Sequence, residues 1–171
     1  MTVYSIIAQT VGILGASLNI GSYQCKKNKS LIFVQLIGST CFVINYLMLG
    51  ALTGCFMNTV GSLRNLIFLG GTKSRKWWVL AILCLLLVSG MVITWGGLLS
   101  LLPFLGMLSV TLAMYTDNGK IIRICQLFIS SPCWLIYNFA SGTIGGVICE
   151  VFIIVSTVIS IIRYGFDGFE K

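Results

Sequence analysis

The sequence predicts an all-α membrane protein of seven transmembrane helices, arranged as two parallel three-helix bundles plus a linker helix. Three observations predict it. The 171 residues are 57% apolar and only 9% charged, with a mean hydropathy of +1.01, whereas a soluble domain carries about 25% charged residues. The lysines and arginines gather in alternate loops. Residues 38–60 are echoed by residues 130–152.

A spanning helix needs about 20 mainly apolar residues. Seven such segments are expected, near 4–23, 31–50, 54–71, 77–95, 98–115, 121–140 and 143–163, with very short loops between them. The softest boundary is at Gly96-Gly97, between the fourth and fifth segments. The first residues carry no Lys or Arg, and no small-residue cleavage site follows the first apolar run, so a cleaved leader is not expected.

Charge sets the orientation. Lys26, Lys27 and Lys29 lie after the first segment; Lys73, Arg75 and Lys76 after the third; Lys120 and Arg123 after the fifth; Arg163 and Lys171 near the end. The loops on the opposite side, around 51–53, 96–97 and 141–142, contain neither Lys nor Arg. Cytoplasmic loops attract basic residues, so the N-terminus is expected outside and the C-terminus in the cytoplasm. The net charge of +7 is thus a topology signal and not a nucleic-acid footprint. Trp77, Trp78 and Trp95 flank the fourth segment, as interfacial anchors do. Membrane lipids are the expected surroundings, and the Lys26–Lys29 cluster suits either topology or anionic lipid.

The echo within the chain has a shift of 92. Ser39 pairs with Ser131, Cys41 with Cys133, Ile44 with Ile136, Gly50 with Gly142 and Gly54 with Gly146. Phe42 faces Trp134, and Asn45-Tyr46 becomes Tyr137-Asn138. Upstream the shift becomes 94, with Gly12 on Gly106 and Lys26 on Lys120. The chain therefore divides into a first three-helix bundle at 1–72, a linker helix at 73–97 and a second bundle at 98–171. An odd linker lets both bundles enter the membrane the same way, which places a site between them near the midplane.

Within that site Glu150 is the sharpest feature. It sits well inside the last apolar segment, where a carboxylate costs at least about 2.5–3.5 kcal/mol. It could bind a cation or several hydroxyls, shuttle a proton, or serve structure by pairing with Arg64 or by hydrogen-bonding across helices. Asn58 holds the equivalent depth in the first half. With Ser62 and Asn65 it forms an i, i+4, i+7 stripe, and Thr157 stands at i+7 from Glu150. Such stripes line a wet pathway or bond helix to helix. Arg64 could snorkel to the cytoplasmic face, gate the pathway or neutralise Glu150. Phe42 and Trp134, in mid-membrane, either wall a ligand or pack the core. Pro103 and Pro132 fall inside helices and suit hinges.

No His is present, and the seven cysteines form no C-x-x-C pair. No metal site and no cofactor is therefore expected. Paired carboxylates, nucleophile triads and phosphate loops are missing too, so an enzyme is not expected.

Several of these residues carry a family resemblance. Ser22-Tyr23-Gln24 followed by Lys26-Lys27-Asn28-Lys29-Ser30 resembles the Pro-Gln turn and basic loop after the first helix of SWEET, SemiSWEET and other PQ-loop transporters, with Tyr23 in place of Pro. Trp134-Leu135-Ile136-Tyr137 resembles that family's second-helix motif. Glu150, sixteen residues on, falls where the family has a substrate-binding Asn, and Phe42 and Asn58 repeat the spacing in the first half. The Gly50-Ala51-Leu52-Thr53-Gly54 turn and the short length also resemble the bacterial inner-membrane YgjV family. The resemblance implies a transporter moving a small polar solute, sugar-like or cationic, by alternating access in the inner membrane. Asn58, Glu150, Phe42 and Trp134 would hold the solute, with Arg64, Ser62, Asn65 and Thr157 along the pathway. The other expectations are a vitamin-type carrier of the same 3-1-3 plan, or a scaffold or accessory protein that transports nothing.

Overall fold

The computed structural model describes residues 3–22, 28–70, 74–116 and 118–164. They form seven helices, with no strand among the described residues. These are α1 (Val3–Ser22), α2 (Asn28–Met48), α3 (Leu52–Phe68), α4 (Trp77–Ile93), α5 (Leu101–Tyr115, entered through a 3₁₀ turn at Leu98–Ser100), α6 and α7 (Ile144–Tyr164). Helix α6 runs from an α segment, Gly119–Cys125, through a π-turn, Gln126–Ser130, into a second α segment, Ser131–Ala140. Tyr23, Gln24, Lys26, Lys27, Lys73 and the tail 165–171 lie outside the described residues.

Two helices, Val3–Gly21 and Leu98–Tyr115, are long and apolar enough to cross a bilayer by length and composition alone. The apolar stretches of α2, α4 and α7 are shorter, at Leu36–Met48, Trp77–Ile93 and Ile144–Ile159. Arg64 interrupts α3. Burial supplies the rest of the membrane argument. Phe139 (80% exposed), Leu98 (79%) and Ile93 (77%) cover the outside, while Asn45 (0%), Asn138 (1%) and Thr111 (1%) fill the inside. Apolar side chains facing out around an interior that also holds polar groups are stable where the solvent is lipid, and helices are the form that satisfies every backbone group there.

Six helices close a ring in the order α1, α2, α3, α5, α6, α7 and back to α1, with α4 packed outside against α3 and α5. Close backbone approach closes it. A Cβ on Gly145 of α7 would collide with the backbone of Gly12 in α1. The Gln9 side chain fastens the same corner, donating from Nε2 to the Gly142 carbonyl at 2.6 Å and accepting from the Ile144 N–H at 3.0 Å. That second bond satisfies one of the orphan donors of the first turn of α7.

The turn after α2 and the turn after α6 are built alike. Gly50 (φ 71°) and Gly142 (φ 69°) both take the left-handed conformation. Each ends its helix with a paired motif: Ala51 N to Tyr46 O at 2.9 Å and Gly50 N to Leu47 O at 3.2 Å in one, Thr143 N to Asn138 O at 2.9 Å and Gly142 N to Phe139 O at 3.2 Å in the other. This is the Schellman arrangement, which needs a residue free to adopt positive φ. All four residue pairs differ by 92, so the echo in the sequence is an echo in the backbone.

Upstream, the match of Gly12 to Gly106 at a shift of 94 is corrected. A Cβ on Gly15 would meet the Gly38 carbonyl and the Phe42 ring; on Gly106 it would meet the Ser130 carbonyl and the Trp134 ring. Gly15 and Gly106 are therefore counterparts, 91 residues apart. The shift grows from 91 to 92 between α5 and the end of the π-turn, and a π-turn is what one extra residue makes of an α-helix. The Ser131 N–H bonds to the Gln126 carbonyl, five residues back.

The prolines also find physical places. Pro132 follows the π-turn at the start of the second α segment of α6, where its missing N–H falls at the irregularity and not within a regular ladder. Pro103 lies in the first turn of α5, where it removes no internal hydrogen bond.

Candidate functional site

At the centre of the ring is a cavity of about 160 Å³. Each helix of the ring contributes to it through one stripe. Asn19 comes from α1; Ser39, Phe42 and Tyr46 from α2; Asn58 and Arg64 from α3; Met107 and Val110 from α5. Helix α6 gives Gln126, Ser130, Trp134 and Asn138, each four residues after the last, and α7 gives Gly146, Cys149, Glu150 and Ile153. In α2, α5, α6 and α7 the lining residues recur at the spacings of one helix face, so each of these helices turns a single edge to the cavity.

Glu150, Asn58, Phe42 and Trp134 thus border one space. The Ser131 side chain lies beside the Glu150 carboxylate. The Oε2 atom of Glu150 is buried and has no hydrogen-bond partner among the described residues. Asn58 donates back to the Gly54 carbonyl at 3.2 Å. Phe42 and Trp134 both pack on Tyr46, with ring centroids 6.1 and 6.0 Å away.

Arg64 does not snorkel. It is 6% exposed and turned into the bundle, because polar acceptors wait there. Asn65 Oδ1 accepts from its Nε at 3.2 Å and its Nη2 at 3.0 Å, and Thr111 Oγ1 accepts from Nη1 at 3.1 Å. Nη1 also lies 3.3 Å from the Met107 sulfur. Among the described residues no ion pair joins Arg64 to Glu150. Asn65 therefore holds Arg64 in place and is not part of the cavity wall. Ser62 donates to the Asn58 carbonyl at 2.9 Å, and neither it nor Thr157 lines the cavity.

The end of the cavity nearest the Gly50 and Gly142 turns is closed by buried residues. Tyr46 donates its hydroxyl to Asn138 Oδ1 at 2.5 Å. The Tyr137 hydroxyl accepts from the Gly54 N–H at 3.0 Å, which satisfies an orphan donor at the start of α3. Both contacts join the first three helices to the last two. Tyr46 also lies near Tyr137, at 6.1 Å, and Trp134 meets Tyr137 edge-on at 6.0 Å. Beyond this layer Thr53 donates to the Thr94 carbonyl at 2.7 Å and lies 3.1 Å from Ser100 Oγ, tying α3 to the link between α4 and α5. The other end of the cavity points toward the basic ends of the helices, where α3 finishes and α6 begins.

Sequence reasoning did not single out Asn19, Ser39, Gln126, Ser130, Ser131 or Asn138. The signal was present in α6, where polar and aromatic residues recur every fourth position from Gln126 to Asn138.

The chain is 27% identical over 176 residues to the inner membrane protein YgjV of Escherichia coli strain K12, covering 99% of this chain and 93% of that one. No solved structure matches it. Residues 6–167 match the model of one protein family along nearly the whole length, and the chain therefore belongs to that family, Imp-YgjV, the bacterial inner membrane proteins.

Proposed function

We propose that this protein carries a small polar solute across the bacterial inner membrane by alternating access. Two three-helix bundles, residues 1–72 and 98–171, would rock against each other around the central cavity, joined by the helix within 73–97, in the manner of the SWEET-like transporters that the sequence resembles. The basic ends of the helices would face the cytoplasm. No ATP-binding motif is present in the sequence, so a gradient would supply any energy.

One observation carries this reading: a carboxylate with one buried oxygen that has no partner among the described residues shares a cavity with a buried guanidinium. Ionisable groups at membrane depth are costly and mark substrate or ion pathways. The matched turns and the bonds from Tyr46 to Asn138 and from Gly54 to Tyr137 support it further. They close one end of the cavity with contacts between halves, as a carrier's shut door must. A scaffold that transports nothing has no use for an unpaired acid in a cavity.

The test is uptake into proteoliposomes of a panel of labelled sugars, polyols, amines and amino acids. A solute that crosses faster than in protein-free vesicles, and at least tenfold slower with Glu150→Gln at equal incorporation, is the expected result. Equal uptake by Glu150→Gln would remove this site from the mechanism. A panel in which nothing moves, with folded protein in the vesicles, would remove the transport reading itself.

A further inference from the structure

We infer that the cavity is shaped for a zwitterion, a small α-amino acid whose carboxylate lies on Arg64 and whose ammonium lies on Glu150. The proposal takes its physiology from the transport reading; its chemistry stands on the geometry of the cavity. Every acceptor that Arg64 has among the described residues is neutral: an amide oxygen, a hydroxyl and a thioether. A buried guanidinium without a counter-anion is an unsatisfied charge. The thioether of Met107 is the weakest of the three acceptors, and a carboxylate would displace it and take Nη1 and Nη2 as a forked pair.

Glu150 presents the opposite need. Ser131 lies beside the carboxylate, but Oε2 is buried with no donor among the described residues, and an ammonium offers three. The two groups do not serve each other, and position explains why. Asn58 and Glu150 are counterparts at one depth, and Arg64 is six residues farther along α3, about 9 Å at the rise of an α-helix. A ligand between them can reach both.

Charge decides the class. Arg64 and Glu150 are the only charged side chains among the described residues lining the cavity. A plain cation is drawn to Glu150 and repelled by Arg64, and a plain anion meets the reverse. Only a molecule carrying both signs gains at both ends. Size narrows the class. A cavity of about 150 Å³ holds benzene, with six non-hydrogen atoms, and this one is about 160 Å³. Alanine, serine and threonine are of that order; a hexose is roughly twice as large. Trp134 and Phe42 give the aliphatic part an apolar wall.

The experiment is binding to purified, detergent-solubilised full-length protein, by thermal shift and by displacement of labelled L-alanine. The probes are L-alanine, L-serine and L-threonine, with ethylamine, propionate and propionamide as matched cation, anion and neutral amide, and glycerol as a polyol. The proposal expects an amino acid to bind at least tenfold more tightly than any matched compound. It expects Arg64→Lys, which keeps the charge but loses the fork, to weaken that binding at least tenfold. In Arg64→Gln the preference over ethylamine should collapse. If ethylamine, propionamide or glycerol binds and no amino acid does, the ligand class is wrong while a carrier of another solute stands. If Arg64→Lys and Arg64→Gln bind alanine like the wild type, the carboxylate is not on Arg64 and the proposal fails. If every probe is silent, this proposal fails, and the uptake panel judges the transport reading separately.

Discussion

Tyr46 and Asn138 are counterparts, 92 residues apart, and they hydrogen-bond to each other. The bond sits at the closed end of the cavity. Tyr46 is 2% and Asn138 is 1% exposed, so water does not compete for it.

Tyr46→Phe should lower stability by about 1–3 kcal/mol, because Asn138 Oδ1 loses a donor in a buried place. In a chain of this size that is about 2–4 °C in Tm for each kcal/mol. Thermal unfolding followed by tryptophan fluorescence in detergent checks it. An unchanged Tm would mean that the closed end does not depend on this bond.

Arg64 offers a sharper contrast. Thr111→Val takes one acceptor from a buried guanidinium and should cost about 1–3 kcal/mol. Arg64→Met removes the buried charge itself, and Thr111 keeps its bond to the Met107 carbonyl at 2.7 Å. Its Tm should match or exceed the wild type, since replacing buried ionic groups with apolar ones is often neutral or stabilising. A large loss of stability in Arg64→Met would make the arginine a structural element, not one kept for a ligand.

The seam between α1 and α7 can be probed with two alanines. Gly145→Ala forces a Cβ into the Gly12 backbone, which cannot move aside as a side chain can. Overpacking of this kind costs about 1–3 kcal/mol. Gly21→Ala, with nothing within 4 Å of the new methyl, should be neutral or gain up to about 1 kcal/mol. Expression level and monodispersity of the two variants give the comparison.

The π-turn makes a prediction about length. Deleting Ile129 should turn Gln126–Ser130 into ordinary α-helix and leave both flanking segments facing as they do now. The protein should still fold. Deleting Ile37 from the unbroken helix α2 would turn every residue on one side of the cut by about 100°, and should abolish expression of folded protein.

The seven helices were legible because lipid demands long apolar runs, and the turns because positive φ favours glycine. Glu150, Asn58, Trp134 and Phe42 were legible because polar or aromatic groups stand out at membrane depth. Seryl and amide residues such as Ser130, Ser131 and Gln126 did not stand out, since a small hydroxyl in an apolar helix can bond back to its own backbone. The inward turn of Arg64 was hidden as well. It depends on Thr111, 47 residues away, which no local pattern links to it. The register of α1 against α5 was misread because no residue type encodes a π-turn, and the one-residue slip it absorbs left only scattered glycines to align.

The closure of the ring has a bearing on how the protein is made. Gln9 and Gly142, which fasten α1 to α7, are 133 residues apart. At a ribosomal pace of about 5–20 residues per second, roughly 7–27 s separate the synthesis of the two. Through that interval α1 has one flank without its final neighbour, and the chamber lacks its sixth wall. Glu150 is thus delivered late, into a compartment whose other sides are already standing.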